Sequence, residues 1–69
     1  KMNKTQKVKI FFVGSDYPET CVLDAEQVDQ VIKNYSVGRA FEITLDKSKR
    51  FYNSNHIELI ILEEVKEDE

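Results

Sequence analysis

The segment 7–13 opens with alternating polar and hydrophobic residues, a pattern typical of a β-strand with one buried face. Its even-numbered positions are all apolar. The odd-numbered positions hold two lysines and then Phe11 and Val13, so half of the second face is apolar too and predicts partial cover by a neighbour. After a turn at 14–19, the segment 20–23 predicts a short second strand that pairs with the first as a hairpin.

The next segment predicts an α-helix over 25–36. Asp24 is a good N-cap, and Gln27 three residues later completes a capping-box-like pair. Gly38 stands where a left-handed C-terminal cap would end the helix. The apolar residues fall at helical spacing on one stripe: Val28, Val31, Ile32 and Tyr35.

Three further strands follow the helix. The segment 40–46 alternates, with Phe41, Ile43 and Leu45 on the predicted core face. A polar loop at 46–49 leads into a return strand at 50–52, and 53–55 forms a turn.

The last apolar run, 56–62, fits two structures. Alternate positions from Ile57 fit a strand, whereas Ile57, Ile60, Ile61 and Val65 nearly fit a helical stripe. Isoleucine enrichment and the length of the run favour the strand. We therefore predict an α+β fold of order β-β-α-β-β-β, with a single helix packed on a small, mostly antiparallel sheet.

The stretch from Arg50 to Ile60 (RFYNSNHIELI) resembles the closing segment of small uncharacterised proteins from Gram-positive bacteria and their phages or mobile elements. In those proteins a strand, an asparagine-containing turn and a strand beginning His-Ile-x-x-Ile follow a helix. The resemblance covers the C-terminal half of the chain. It implies a bacterial or phage origin and assigns no role to any residue.

The 69 residues have room for one domain, and the charge is unevenly distributed. The net charge is −3, yet the last seven residues hold five acids and one lysine, and the remainder has a net charge of +1. We predict a flexible segment at 1–6, one domain at 7–63 and an acidic tail at 64–69. The single cysteine and the lack of a long apolar run predict a cytoplasmic protein with no membrane contact.

The sequence contains few thiol and imidazole side chains, which act as catalytic nucleophiles and bases. Cys21 is the only thiol and His56 the only imidazole, and they could pair only if their strands adjoin. A lone histidine among scattered carboxylates matches no metal-ligand spacing, and neither glycine begins a phosphate-binding loop. We predict no enzymatic activity, no cofactor and no metal.

One candidate surface is the predicted hairpin around 47–56. Aromatic rings can stack on bases while cations hold the phosphates. The overall acidity of the chain counts against such binding, and hairpin lysines are also common for solubility. A nucleic-acid site is thus the alternative hypothesis, with these residues: Lys47, Lys49, Arg50, Tyr52, Asn53 and His56.

The leading candidate is the sheet face opposite the helix, because one helix covers only one face. Apolar residues on the open face form either an interface or a second small core made by curling the sheet. Under the interface hypothesis the partner is another protein or a second copy in a homodimer. The predicted interface residues are Phe11, Val13, Ile60 and Leu62, with Tyr17 and Tyr52 as possible anchors.

Overall fold

The computed structural model describes residues 5–65, and these form the predicted α+β fold in the order β-β-α-β-β-β. A short 3₁₀ turn, Ser54–His56, precedes the last strand. The helix has the predicted bounds, and the final apolar run is a strand, as favoured above. The elements are β1 (Thr5–Phe12), β2 (Glu19–Asp24), α1 (Ala25–Ser36), β3 (Phe41–Leu45), β4 (Ser48–Tyr52) and β5 (Ile57–Glu64).

The five described strands divide between two antiparallel sheets. The first has the order β2-β1-β5, and the second is the β3–β4 hairpin. The division could not be predicted from strand patterns, because it depends on pairing between distant segments. One core lies between these parts, and its buried side chains come from every strand and from α1: Val8, Ile10, Leu23, Val28, Val31, Phe41, Ile43, Tyr52 and Ile57.

An aromatic stack joins the two sheets. The ring of Tyr52 is stacked with those of Phe12 and Phe41, with centroid distances of 6.0 and 5.3 Å. Its hydroxyl donates a hydrogen bond of 3.0 Å to Glu19 Oε1 at the start of β2. The same carboxylate oxygen lies 3.6 Å from Nη1 of Arg50. The hairpin is thus held to the three-stranded sheet by stacked rings inside and by polar contacts at the rim.

Both ends of α1 carry specific caps. Asp24 Oδ1 accepts a hydrogen bond from the backbone N–H of Gln27 at 2.9 Å, which confirms the predicted N-cap. Gly38 has φ +76, and its N–H donates to the carbonyl of Tyr35 while Arg39 N–H donates to that of Asn34. These two bonds form a Schellman motif, for which a left-handed residue is required.

An irregularity in the pairing of β1 with β5 decides which side chains share a face. Phe12 pairs with Ile57, but the adjacent Phe11 pairs with Leu59, so Glu58 is an extra residue in β5. Such a β-bulge shifts the alternation of its strand by one. Ile57 therefore faces the core before the bulge, and Ile60 faces it afterwards, opposite Ile10.

The strands extend beyond the predicted limits of the domain. β1 begins at Thr5 and β5 ends at Glu64, so residues 5, 6 and 64 belong to the sheet. The rest of the predicted flexible segment, 1–4, and most of the predicted acidic tail, 66–69, lie outside the described residues. Within 5–65 no helix has the length and apolar character needed to cross a membrane.

Candidate protein-binding face

The three-stranded sheet has a second face, which points away from the core. Directly opposed residues in antiparallel strands share a face, so the register places the side chains of this open face in rows. Thr5 and Asp24 lie opposite each other at one end, and three rows follow them. The first row is Val22, Lys7 and Glu63, and the second is Thr20, Lys9 and Ile61. The third row contains Phe11 and Leu59.

The apolar side chains of the open face gather toward one end. Phe11 lies opposite Leu59, and Ile61 lies in the next row on the same strand as Leu59. Leu59 is 47% exposed, whereas Phe11 and Ile61 are partly buried. We call these three residues the apolar patch. Because Leu59 and Val22 (53% exposed) remain open, the described residues build no second core over this face.

Charged groups of both signs border the apolar patch on the side of the first two rows. Lys9 Nζ lies 3.2 Å from Glu63 Oε2, a cross-strand ion pair in which both side chains are partly exposed. Lys7 lies directly opposite Glu63 in the first row, so Glu63 is beside two lysines. An exposed pair of this kind contributes little to stability. The Lys9–Glu63 pair instead gives the rim of the apolar patch both signs of charge, which a binding partner would meet.

The prediction that Ile60 and Leu62 lie on the open face is wrong. Ile60 is opposite Ile10, and Leu62 is opposite Val8, and both of these partners are fully buried. The physical reason is the bulge at Glu58, which reverses the alternation counted from Ile57. Ile60 packs against the core, and Leu62 lies on the core side of the sheet with 38% of its surface exposed.

The remaining predicted interface residues lie near the patch or on the following loop. Phe11 is on the open face, as predicted. Val13 follows the end of β1 and is 65% exposed, and its N–H donates to the carbonyl of His56 at 2.8 Å. Tyr17 is on the β1–β2 loop and 81% exposed.

Three residues of the open face were not predicted from the sequence: Val22, Leu59 and Ile61. The run 59–62 is apolar at every position, so alternation alone cannot choose its inward face. The sequence feature that could have indicated the bulge is Glu58, a charged residue that interrupts the apolar run directly after the turn.

The basic hairpin separates into two faces, because neighbouring residues of a strand point in opposite directions. Lys49 and Phe51 lie on the outer side, where Phe51 is 76% exposed and Lys49 Nζ is 4.0 Å from Glu42 Oε2. Arg50 and Tyr52 lie on the side of Ile43 and Phe41.

Tyr52 is therefore unavailable for base stacking or for anchoring a partner. It is only 7% exposed, and this part of the prediction is wrong. Burial raises the pKa of its phenol; the Glu19 contact also raises it, and Arg50 opposes the shift. Pairing the predicted hairpin strands residue by residue would have found this burial, because it sets Arg50 and Tyr52 on the same side as Phe41.

The other predicted nucleic-acid residues are spread along the same region. Lys47 is in the exposed turn between β3 and β4. Asn53 caps the 3₁₀ turn by accepting a hydrogen bond from Asn55 N–H at 3.0 Å, and His56 ends that turn with an exposed side chain. Ser54, which sequence reasoning did not single out, is buried and donates to the carbonyl of Arg39.

Cys21 and His56 are not brought together. Cys21 is on β2 opposite Val8, whereas His56 precedes β5 beyond the level of Phe12, and β1 separates the two strands. Four residues of strand correspond to about 13 Å along the sheet. Cys21 packs against the core, and desolvation raises the pKa of its thiol, with Arg50 opposing and Glu19 reinforcing the shift.

The described part of the chain contains no group of three or more histidine, cysteine or acidic side chains arranged to hold a metal ion. Comparisons of the chain with protein-family models, with curated proteins and with solved structures find no match. The resemblance of residues 50–60 to proteins of Gram-positive bacteria and phages therefore stays a prediction.

Proposed function

We propose that this protein is a small non-enzymatic binding or regulatory protein that acts through protein contacts on the open face. The observation that carries the proposal is the apolar patch, where Phe11 and Leu59 face each other across two strands beside Ile61. Interfaces typically combine a central apolar area with a polar rim. Lys9 and Glu63 provide such a rim on the same face.

The size of the chain gives a physical reason for association. A domain of this length buries only about 60% of the surface its unfolded chain exposes, so further burial stabilises it appreciably. Association is one of the usual ways in which small domains gain stability. The partner is a second copy of the chain or another protein with a matching apolar surface.

The dimensions of the open face favour a reversible contact. Strands of eight residues are about 26 Å long, and three strands are about 14 Å across, so the flat area is roughly 360 Å². Stable complexes typically bury about 800 Å² on each partner. We therefore expect weak self-association, or docking to a partner that also contacts neighbouring surfaces.

Leu59→Glu tests this function because Leu59 is exposed and its replacement leaves the core intact. Phe51→Glu is the matched control, since it places the same charge on an exposed apolar side chain of the hairpin. For the wild type and both variants, we measure sedimentation across a wide concentration range. We also compare the proteins that each captures from lysate of the native host.

The proposal predicts a dimer or a captured protein that is lost in Leu59→Glu and kept in Phe51→Glu. The proposal would be overturned if the wild-type chain stays monomeric at millimolar concentration and captures only the proteins that Leu59→Glu also captures.

Nucleic-acid binding is the second candidate, and the outer side of the hairpin favours it. Phe51 is 76% exposed and shares that side with Lys49, so a base could stack on the ring while the ammonium group holds a phosphate. Glu42 beside Lys49 and the ion pair of Arg50 with Glu19 reduce the available positive charge.

Titration of a fluorescent single strand at low and high salt tests the second candidate. Binding through this surface weakens with salt and is lost in Phe51→Ala and in Lys49→Glu, whereas Leu59→Glu leaves it unchanged. Absence of binding at low salt would exclude it.

A further inference from the structure

A polar groove separates α1 from one edge of β3. β4 pairs with the other edge of β3, so the edge along the groove has no strand partner among the described residues. The groove has a volume of about 430 Å³, within the range of sites that bind small ligands. Its described lining consists of acids, amides and a threonine: Glu26, Gln27, Gln30, Asn34, Glu42 and Thr44.

The side chain of Gln27 already occupies part of this strand edge. Its Nε2 donates to the carbonyl of Thr44 at 3.1 Å, and its Oε1 accepts from the N–H of Thr44 at 3.0 Å. A primary amide offers one donor and one acceptor side by side, as an adjacent strand would. Gln27 therefore stands where the main chain of a further strand would lie, instead of closing the capping box at Asp24.

The same edge continues past Thr44. In an antiparallel pair, residues alternate between bonding to the partner strand and pointing away from it. Since the peptide groups of Thr44 point into the groove, those of Glu42, two residues earlier, point the same way. On the opposite wall, Asn34 lines the groove, and its Nδ2 donates to the carbonyl of Gln30.

We propose that this groove binds an extended peptide with basic side chains, which adds a strand to the edge of β3. The acids Glu26 and Glu42 line the groove, and Lys49 Nζ lies 4.0 Å from Glu42 Oε2, an exposed and solvent-screened contact. The two carboxylates outweigh this one ammonium group, so the charge of the lining complements lysine or arginine. The incoming main chain replaces the Gln27 amide at Thr44. This exchange costs little, because both hydrogen bonds that Gln27 gives up are made again by the peptide.

The experiment uses a short peptide of alternating lysine and valine and records amide shifts of the isotopically labelled protein. A peptide with glutamate in place of lysine tests the charge. A third peptide keeps the lysines but is N-methylated along its backbone, so it carries the same charge and cannot donate main-chain hydrogen bonds.

We expect the lysine peptide alone to shift the amides of Glu42 and Thr44. No shift at these amides with millimolar lysine peptide would overturn the proposal, as would equal shifts with the N-methylated peptide, which would indicate ion pairing only.

Two variants test the role assigned to Gln27 and the charge. Gln27→Ala frees the Thr44 edge and should bind the lysine peptide about two- to tenfold more tightly, the value of one modest hydrogen bond. Glu42→Lys should abolish binding. Leu59→Glu lies on the open face and should leave peptide affinity unchanged, so this test is independent of the function proposed above. Unaltered affinity in both Gln27→Ala and Glu42→Lys would contradict the assignment.

Discussion

The rings of Phe12 and Tyr52 are stacked with their centroids 6.0 Å apart and their planes within 5° of each other, although the two residues belong to different sheets. Phe41 is also stacked with Tyr52, with ring centroids 5.3 Å apart. Since no described strand of one sheet pairs with a strand of the other, the halves of the fold are joined by this stack, by the contacts of Tyr52 and Arg50 with Glu19, and by the packing of α1.

The Tyr52 hydroxyl should make the protein lose stability in alkali. Burial raises the pKa of this hydroxyl in the folded state, so the native state keeps the proton to a higher pH than the unfolded chain does. The stabilisation is complete below the unfolded value of about 10 and is lost as pH rises through the folded value. We expect the free energy of unfolding to fall less steeply above about pH 10 in Tyr52→Phe than in the wild type.

Tyr17→Phe is the control, because Tyr17 is 81% exposed and outside the stack. Urea unfolding at several pH values measures all three proteins. The same alkaline slope in wild type and Tyr52→Phe would show that the buried phenol does not control this loss.

Gly38 should be required for its backbone conformation and not for its small size. Its φ is +76, and a Cβ built there meets no atom within 4 Å. Gly38→Ala should therefore lower the free energy of unfolding by roughly 1 kcal/mol through strain alone. A chemically synthesised chain with D-alanine at this position, which prefers positive φ, should be at least as stable as the wild type. A D-alanine chain as unstable as Gly38→Ala would point to a steric cause.

Cys21 should react slowly with iodoacetamide in the folded protein. Desolvation raises the pKa of its thiol and partial burial shields it, so little reactive thiolate is accessible at pH 8. The rate in the native state is compared with the rate in urea by mass spectrometry, and we expect a marked increase on unfolding. Equal rates would show that the Cys21 side chain is open to solvent.

The local features of the fold followed directly from the sequence. The cap at Asp24, the glycine at position 38 and the apolar stripe of α1 act within a few residues, so their patterns predict the helix with its bounds. The alternation in β1 likewise identified Val8 and Ile10, which are fully buried.

The predictions that were wrong concern features that depend on pairing between distant segments. The bulge at Glu58 arises only when β5 pairs with β1, and it decides whether Leu59 or Ile60 points to the core. Both residues are apolar, so composition cannot distinguish them. The alternation thus predicts an open face and places Phe11 on it correctly. The β5 residues that it assigns to this face, Ile60 and Leu62, lie on the opposite side of the strand.

The orientation of Leu59 and Ile60 decides which side chains of β5 form the open face. Ile60 packs against the core, so a charge at this position must be buried or the structure must open. Leu59→Glu places the charge in solvent and should change the free energy of unfolding by about 0.5 kcal/mol or less, as surface substitutions usually do.

Urea unfolding of Leu59→Glu and Ile60→Glu, at a protein concentration low enough to keep the chain monomeric, tests this orientation most directly. We predict near wild-type stability for Leu59→Glu and a loss of roughly 2–4 kcal/mol, or no folding, for Ile60→Glu. A stable Ile60→Glu together with an unfolded Leu59→Glu would contradict the register and the apolar patch built on it.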